Sequence, residues 1–264
     1  MTAPARSRVE DSLATNESWL FLSPHLDDAI LSCGALIQAA AGTRDVAVAT
    51  LFTEAGPGPL TRSARAFLQQ CSAERADTLF EARKREDAAV LGQLGVRLHH
   101  FGAMDALFRR REGLLPGIAA LGRTVPELVH RYPSYRFSAS RGRVSRGDRA
   151  LIAELVGKVA ALIEAGGFGL VFCPLGVGGH VDHVITRMVG AKFPELAVFY
   201  SDFPYDQRFG PDENFLNAHG LRPWLWEEQL AGKQPLVRQY ASQMGALFDG
   251  GHIPVSPEIY YVPS

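Results

Sequence analysis

Ser18-Trp19-Leu20-Phe21-Leu22-Ser23-Pro24-His25-Leu26-Asp27-Asp28 is a short apolar run that stops at a proline and is followed by one histidine and two adjacent carboxylates. The run has the length and composition of a buried strand, and the acidic residues beyond Pro24 can cap a helix over 29–40. Strand, loop and helix therefore follow one another at the start of the chain.

The same succession recurs downstream. A strand is expected over 46–52 (VAVATLF), closed by the Gly/Pro loop EAGPGP at 54–59, and an amphipathic helix over 73–94 that ends at Gly95. Further strands are expected over 96–101, 169–174, 196–201 and 258–262, and further helices over 148–165, 182–192 and 234–248. Strands alternating with helices imply βαβ units, hence an α/β fold with a mostly parallel sheet and helices on both faces. Ligands of such sheets bind beyond the carboxyl ends of the strands. At 264 residues, one large domain spanning 1–264 is the default reading. A loop-rich insertion is expected at about 102–147, with the basic stretch Phe108-Arg109-Arg110-Arg111 and the aromatic residues Tyr132, Tyr135 and Phe137.

Composition narrows the function. Lys+Arg 27 against Asp+Glu 28 leaves a net charge of −1, without the broad positive field that non-specific nucleic-acid binding requires. No uncharged apolar run approaches the ~20 residues that span a bilayer, and the first 18 residues carry no hydrophobic signal region. A cytoplasmic protein without membrane insertion or nucleic-acid partner is expected, and a homo-oligomer is left open. Cys33, Cys71 and Cys173 are far apart and odd in number, so buried reduced thiols are expected rather than disulfides or a CxxC metal site.

Two loops carry the chemistry. Pro24-His25-Leu26-Asp27-Asp28 follows the first strand, so its side chains project from the sheet edge where α/β proteins keep their sites. One histidine and two carboxylates can supply two ligands for a first-row metal and leave one carboxylate as a base; taken alone, the aspartates could equally be N-caps. Gly178-Gly179-His180-Val181-Asp182-His183 holds the equivalent place after the strand at 169–174. His180 and His183 are three apart and share one side of a helical turn, although a lone HxxH could equally be a capped polar turn. Together the loops offer histidine and aspartate in the mixture typical of a catalytic zinc site with an open water position.

With these motifs, the chain resembles the PIG-L/LmbE-like family of metal-dependent de-N-acetylases, whose signatures are P-H-P-D-D-E near the N-terminus and H-x-D-H in the second half. Arg83-Lys84-Arg85-Glu86-Asp87 is similar to the family's R-x-x-E segment, and Pro174 to His180 to its second metal loop. The resemblance implies a Rossmann-like three-layer fold and a Zn2+ ion, or another divalent first-row metal, held by His25, Asp28 and His183. It implies Asp27 as general base, His180 as the residue that polarises the carbonyl or protonates the leaving amine, and Asp182 as the partner that orients His180. Arg83 becomes a candidate for substrate binding. Leu26, Ala29 and Val181 depart from the family's Pro, Glu and Pro, and none of the three removes an implied ligand.

The expected activity is removal of an N-acetyl or other N-acyl group from an amino sugar or related small-molecule conjugate. A metal that acidifies water and polarises an amide oxygen makes the attack feasible near neutral pH. An amidase cleaving a larger acyl group from a thiol-sugar conjugate would use the same site. A non-catalytic metal- or sugar-binding module would have no use for Asp27 beside a complete ligand set. GVGG at 176–179 is not a dinucleotide fingerprint, because Val181 stands where the third glycine would be. His99 and His100 are expected to pack on a strand.

Overall fold

Seven strands form one sheet in the order β3-β2-β1-β4-β5-β7-β6 in a computed structural model that describes residues 8–263. Residues 1–7 of the polar arm, and Ser264, lie outside the described residues. The strands are β1 Ser18–Ser23, β2 Val46–Glu54, β3 Arg97–Met104, β4 Phe168–Pro174, β5 Ala197–Tyr200, β6 Leu221–Trp226 and β7 Glu258–Pro263. The helices are α1 Arg8–Leu13, α2 Asp28–Ala41, α3 Arg62–Gln70, α4 Ala76–Gln93, α5 Pro116–Leu121, α6 Arg149–Gly166, α7 Val181–Gly190, α8 Glu213–His219, α9 Leu230–Val237 and α10 Ala241–Leu247. β1, β2, β3, β4 and β5 pair in parallel, while β7 is antiparallel to both β5 and β6.

The continuous apolar character of the central strands follows from burial on both faces. Leu20, Leu22, Val171 and Cys173 point into a core shared with α6 and α7; Trp19, Phe21, Leu170 and Phe172 point into a second core shared with α2 and α9. Phe21 stacks on Phe172 with ring centroids 4.3 Å apart, which locks β1 to β4 on the second face. The chain winds from β1 outward through β2 to β3, then returns to β4 on the other side of β1. The direction of winding reverses between β1 and β4, and the crevice beyond their carboxyl ends is where such sheets take ligands.

Several elements differ from the sequence reading. The expected helix over 234–248 is two helices, α9 and α10, separated where Tyr240 turns inward to donate its hydroxyl to Asp87 (2.9 Å). β6 was not expected, since Pro223 argues against a central strand; it lies at the sheet edge, where proline is tolerated. α3 was also not expected, and β3 runs to Met104, into the stretch read as the start of the insertion. Cys33 and Cys173 are buried free thiols and Cys71 is half-buried. His100 has a specific partner, its Nε2–H donating to Oδ2 of Asp87 (2.9 Å), rather than only packing. No described helix is long and apolar enough to cross a membrane.

Candidate metal centre

The loop after β1 satisfies its own backbone and leaves Asp27 free. The Ser23 hydroxyl accepts from Ala29 N (3.0 Å) and donates to the His25 carbonyl (2.6 Å), while Asp28 Oδ2 accepts from His25 N (2.9 Å). Asp27 occupies the N-cap position of α2, yet its carboxylate caps nothing. It faces Arg83 instead, with Oδ1 3.3 Å from Nη2. Arg83 and Asp87 lie on the buried stripe of α4 with Leu79, Phe80, Val90 and Leu91, so this helix carries two charges into the protein.

The loop after β4 is held from β5. Oδ2 of Asp202 accepts the N–H groups of Gly176 (2.7 Å) and Val177 (2.8 Å), and Oδ1 takes Nδ1 of His183 (2.6 Å). Gly178 needs its missing side chain twice over, because φ is +80° and a Cβ would stand 3.0 Å from the Tyr205 ring. The GVGG glycines therefore shape this turn. His180 caps α7, its Nδ1 accepting from Asp182 N (3.3 Å).

These loops bring the sequence-predicted residues together. Oδ2 of Asp28 lies 3.0 Å from Nδ1 of His25 and 3.3 Å from Nε2 of His183. With Nδ1–H of His183 given to Asp202, its Nε2 holds a lone pair; that buried atom has no hydrogen-bond partner among the described residues and faces the Asp28 carboxylate. Acceptors so close together at a buried point require a proton or a cation between them, so the donor set fits a first-row metal ion. The ring nitrogens of His180 join those of His25 and His183 in a second cluster of metal-ligating atoms lying within 4.8 Å of one another; His25 with Asp105 and Asp182 forms a third.

Protonation equilibria express the same convergence. Burial works against charging His25, but its hydrogen bonds to Asp182 and Asp28 raise it to about 9. Burial likewise opposes charge on His183, and Asp28 and Asp202 overcome it, holding the imidazole well above its ordinary range. Burial would raise Asp28, yet His183 and His25 hold it well below the usual carboxylate range. Asp27 behaves oppositely: burial raises it to about 6 although Arg83 pulls it down. His180 is lowered to about 3, first by burial and then by the neighbouring His25.

Other residues of the site were not singled out from sequence. Asp105 follows β3 and puts Oδ2 3.5 Å from His25 Nε2. Arg109, noted only as part of a basic stretch, is buried and donates to Asp182. Asp202, just after β5, holds His183 through Oδ1. Among the described residues, the hydrogen bonds of the Asp182 carboxylate go elsewhere than the His180 ring: it accepts from Ala106 N (2.8 Å) and from Arg109, and lies 3.3 Å from His25 Nε2. Only its backbone N–H meets His180.

The PIG-L model, described as GlcNAc-PI de-N-acetylase, matches residues 20–193, a span that holds both loops. The chain belongs to the PIG-L family. This PIG-L protein is 28% identical over 213 residues to 2'-N-acetylparomamine deacetylase of Streptomyces fradiae, an alignment covering 78% of this chain and 64% of that protein. The chain thus spans under two thirds of that relative's length. Its fold is that of the zinc-inhibited form of teicoplanin deacetylase (TM-score 0.71, 22% identity, 92% of this chain and 97% of that one). The A40926 pseudoaglycone deacetylase shares it as well (TM-score 0.64, 22% identity, 94% and 97%).

Proposed function

We propose that this PIG-L protein is a zinc-dependent hydrolase that removes an N-acetyl group from a small amino-sugar substrate. The observation that carries the reading is the convergence of Asp28 Oδ2 with His25 Nδ1 and His183 Nε2, beside a carboxylate, Asp27, that neither caps its helix nor joins the cluster. Membership of a de-N-acetylase family and the acetylated aminoglycoside named for the Streptomyces relative support the reaction and the substrate class.

His25, Asp28 and His183 would hold the metal, which when bound supplies the Lewis acidity that acidifies water and polarises an amide oxygen. Asp27 takes the proton of the attacking water on a carboxylate oxygen. With its affinity for protons raised to about 6, it is mostly ionised at neutral pH yet basic enough to accept. His180 accepts at Nδ1 from the Asp182 N–H, so its proton sits on Nε2. Held neutral by burial, it serves as a hydrogen-bond donor to the developing oxyanion rather than as an acid. The proton collected by Asp27 is then the one available to the departing amine. Arg83 is 3% exposed and serves Asp27, so a direct contact with substrate would require this buried guanidinium to be uncovered.

The test is metal content by elemental analysis together with amine release from N-acetylated amino sugars, including acetylated aminoglycosides. About one zinc per chain, lost in His183→Ala and retained in an inactive Asp27→Ala, is the expected result. Protein prepared without chelator that contains no metal would overturn the reading.

A further inference from the structure

Both histidines of the proposed ligand set have a carboxylate at the ring nitrogen turned away from Asp28, but the two carboxylates are supported differently. Asp202 is anchored by backbone N–H groups of the loop after β4. Asp182 stands behind His25 and depends on the segment after β3. Its Oδ2 accepts from Ala106 N (2.8 Å) and lies 3.3 Å from His25 Nε2, and its Oδ1 accepts from Nη2 of Arg109.

Arg109 is itself tightly placed. It is 5% exposed, its guanidinium carbon lies 5.0 Å from the Phe52 ring centroid and 5.4 Å from that of Tyr132, and Nη1 is 3.4 Å from Oδ1 of Asp148. Asp148 is fixed in turn by Arg131 Nη1 (2.5 Å) and by the Tyr132 hydroxyl. The segment that carries Arg109 is closed on itself by backbone bonds from Arg111 N to Val129 O and from Arg131 N to Arg109 O, both 2.8 Å. A planar guanidinium clamped between rings and two carboxylates has little freedom, and it passes that restriction to Asp182.

We propose that Arg109 is a positioning residue for His25. It acts through Asp182, which takes Nε2–H of His25 and so turns the Nδ1 lone pair toward Asp28. Asp182 thereby belongs to His25 rather than to His180. The inference rests on His25 being a metal ligand, and it extends the metal centre to a residue outside both loop motifs.

Zinc titration of metal-free protein against a competing chelator tests it in the wild type, Arg109→Gln, Asp182→Asn, the double variant and His180→Ala, with thermal unfolding of each metal-free protein as the fold control. Removing the group that orients a ligating histidine typically weakens metal binding about 10- to 100-fold. Arg109→Gln and Asp182→Asn should each show a loss of that size, and the double variant no more than the larger single loss, because both act on one path. His180→Ala should keep its zinc affinity within about threefold, by the same argument. If Arg109→Gln does not fold, Arg109→Lys, which keeps the charge but not the planar fork, should show a loss of at least about tenfold.

Folded Arg109→Gln that binds zinc as the wild type does, additive losses in the double variant, or Asp182→Asn that retains zinc affinity and loses only turnover like His180→Ala would each overturn the proposal. A wild type that binds no zinc would overturn the metal centre itself, a different failure from any of these.

Discussion

His183 gives its Nδ1 to Oδ1 of Asp202 at 2.6 Å, and this bond decides what its other nitrogen can do. A carboxylate only accepts, so Nδ1 must carry a hydrogen, and Nε2 faces the point it shares with Asp28, holding a proton there in the metal-free protein or giving its lone pair to a bound cation. Because Asp202 also receives two backbone N–H groups of the loop after β4, one side chain fixes both the position of the loop and the Nδ1 proton of His183.

Asp202→Asn should therefore act on metal binding through the tautomer. The Gly176 and Val177 N–H groups will claim the amide oxygen, which turns the amide NH2 toward His183 Nδ1 and moves the ring proton to Nε2. Zinc affinity should fall about 10- to 100-fold in a chelator competition, while metal-free protein keeps its far-UV spectrum. An unchanged affinity would show that Asp202 only braces the loop.

Asp27 and Arg83 predict an acidic limb in kcat/KM. A base must be ionised, and burial raises Asp27 to about 6, so activity should rise with pH through that region unless bound metal lowers the limb further. Arg83 opposes burial by favouring the carboxylate. Arg83→Gln removes that charge and should move the limb to higher pH, by more than its effect on KM explains. A limb that stays in place would mean that the guanidinium 3.3 Å away does not govern Asp27.

In the proposed metal centre, zinc and protons would compete for His25. Its affinity for protons is raised in the folded state to about 9 from an ordinary 6.5, so the folded metal-free protein binds a proton that the unfolded chain releases. That contribution to stability is complete below about 6.5 and is lost as pH rises toward 9. Zinc fills the same place without needing the proton, so the gain in Tm on adding zinc should grow from about pH 6 to about pH 8.5. At a free concentration 100 times Kd the gain in stability is about 2.7 kcal/mol, roughly 5–10 °C for a chain of this size. Differential scanning calorimetry at the two pH values checks this, and a larger gain at the lower pH would contradict it.

The parts of the site that could be read from the chain are those in which chemistry and local structure coincide. His25, Asp27, Asp28, His180 and His183 sit directly on strand-to-helix loops, while Arg83 was marked by its likeness to the family's R-x-x-E segment and lies on the buried stripe of α4. Asp202, Asp105 and Arg109 were not legible, because each reaches the site only through the pairing of β5 and β3 into the sheet. The Asp202 segment, Ser201-Asp202-Phe203, had no companion histidine or glycine to mark it. β6 was hidden by Pro223, which only its edge position explains. Asp182 shows the limit of spacing arguments, since two residues along the chain from His180 its carboxylate turns to Arg109 and to His25, 157 residues away in sequence.

The packing of α7 on β4 predicts the effect of Gly190→Ala. Gly190 ends the helix that carries His183, and a Cβ there would stand 2.3 Å from Sγ of Cys173 and 2.7 Å from its Cβ. Alanine favours a helix over glycine by up to about 1 kcal/mol, whereas forcing a methyl into a closed core contact costs about 1–3 kcal/mol. The second effect should win, giving a net loss of stability in chemical denaturation, and the displaced α7 should carry His183 away from Asp28 and weaken zinc binding. Cys173→Ala in the same chain removes the sulfur but leaves the Cβ contact, so it should recover part of both losses. Full recovery would place the clash on the thiol alone, and a Gly190→Ala protein as stable as the wild type would mean that α7 rides on β4 with slack that these distances do not show.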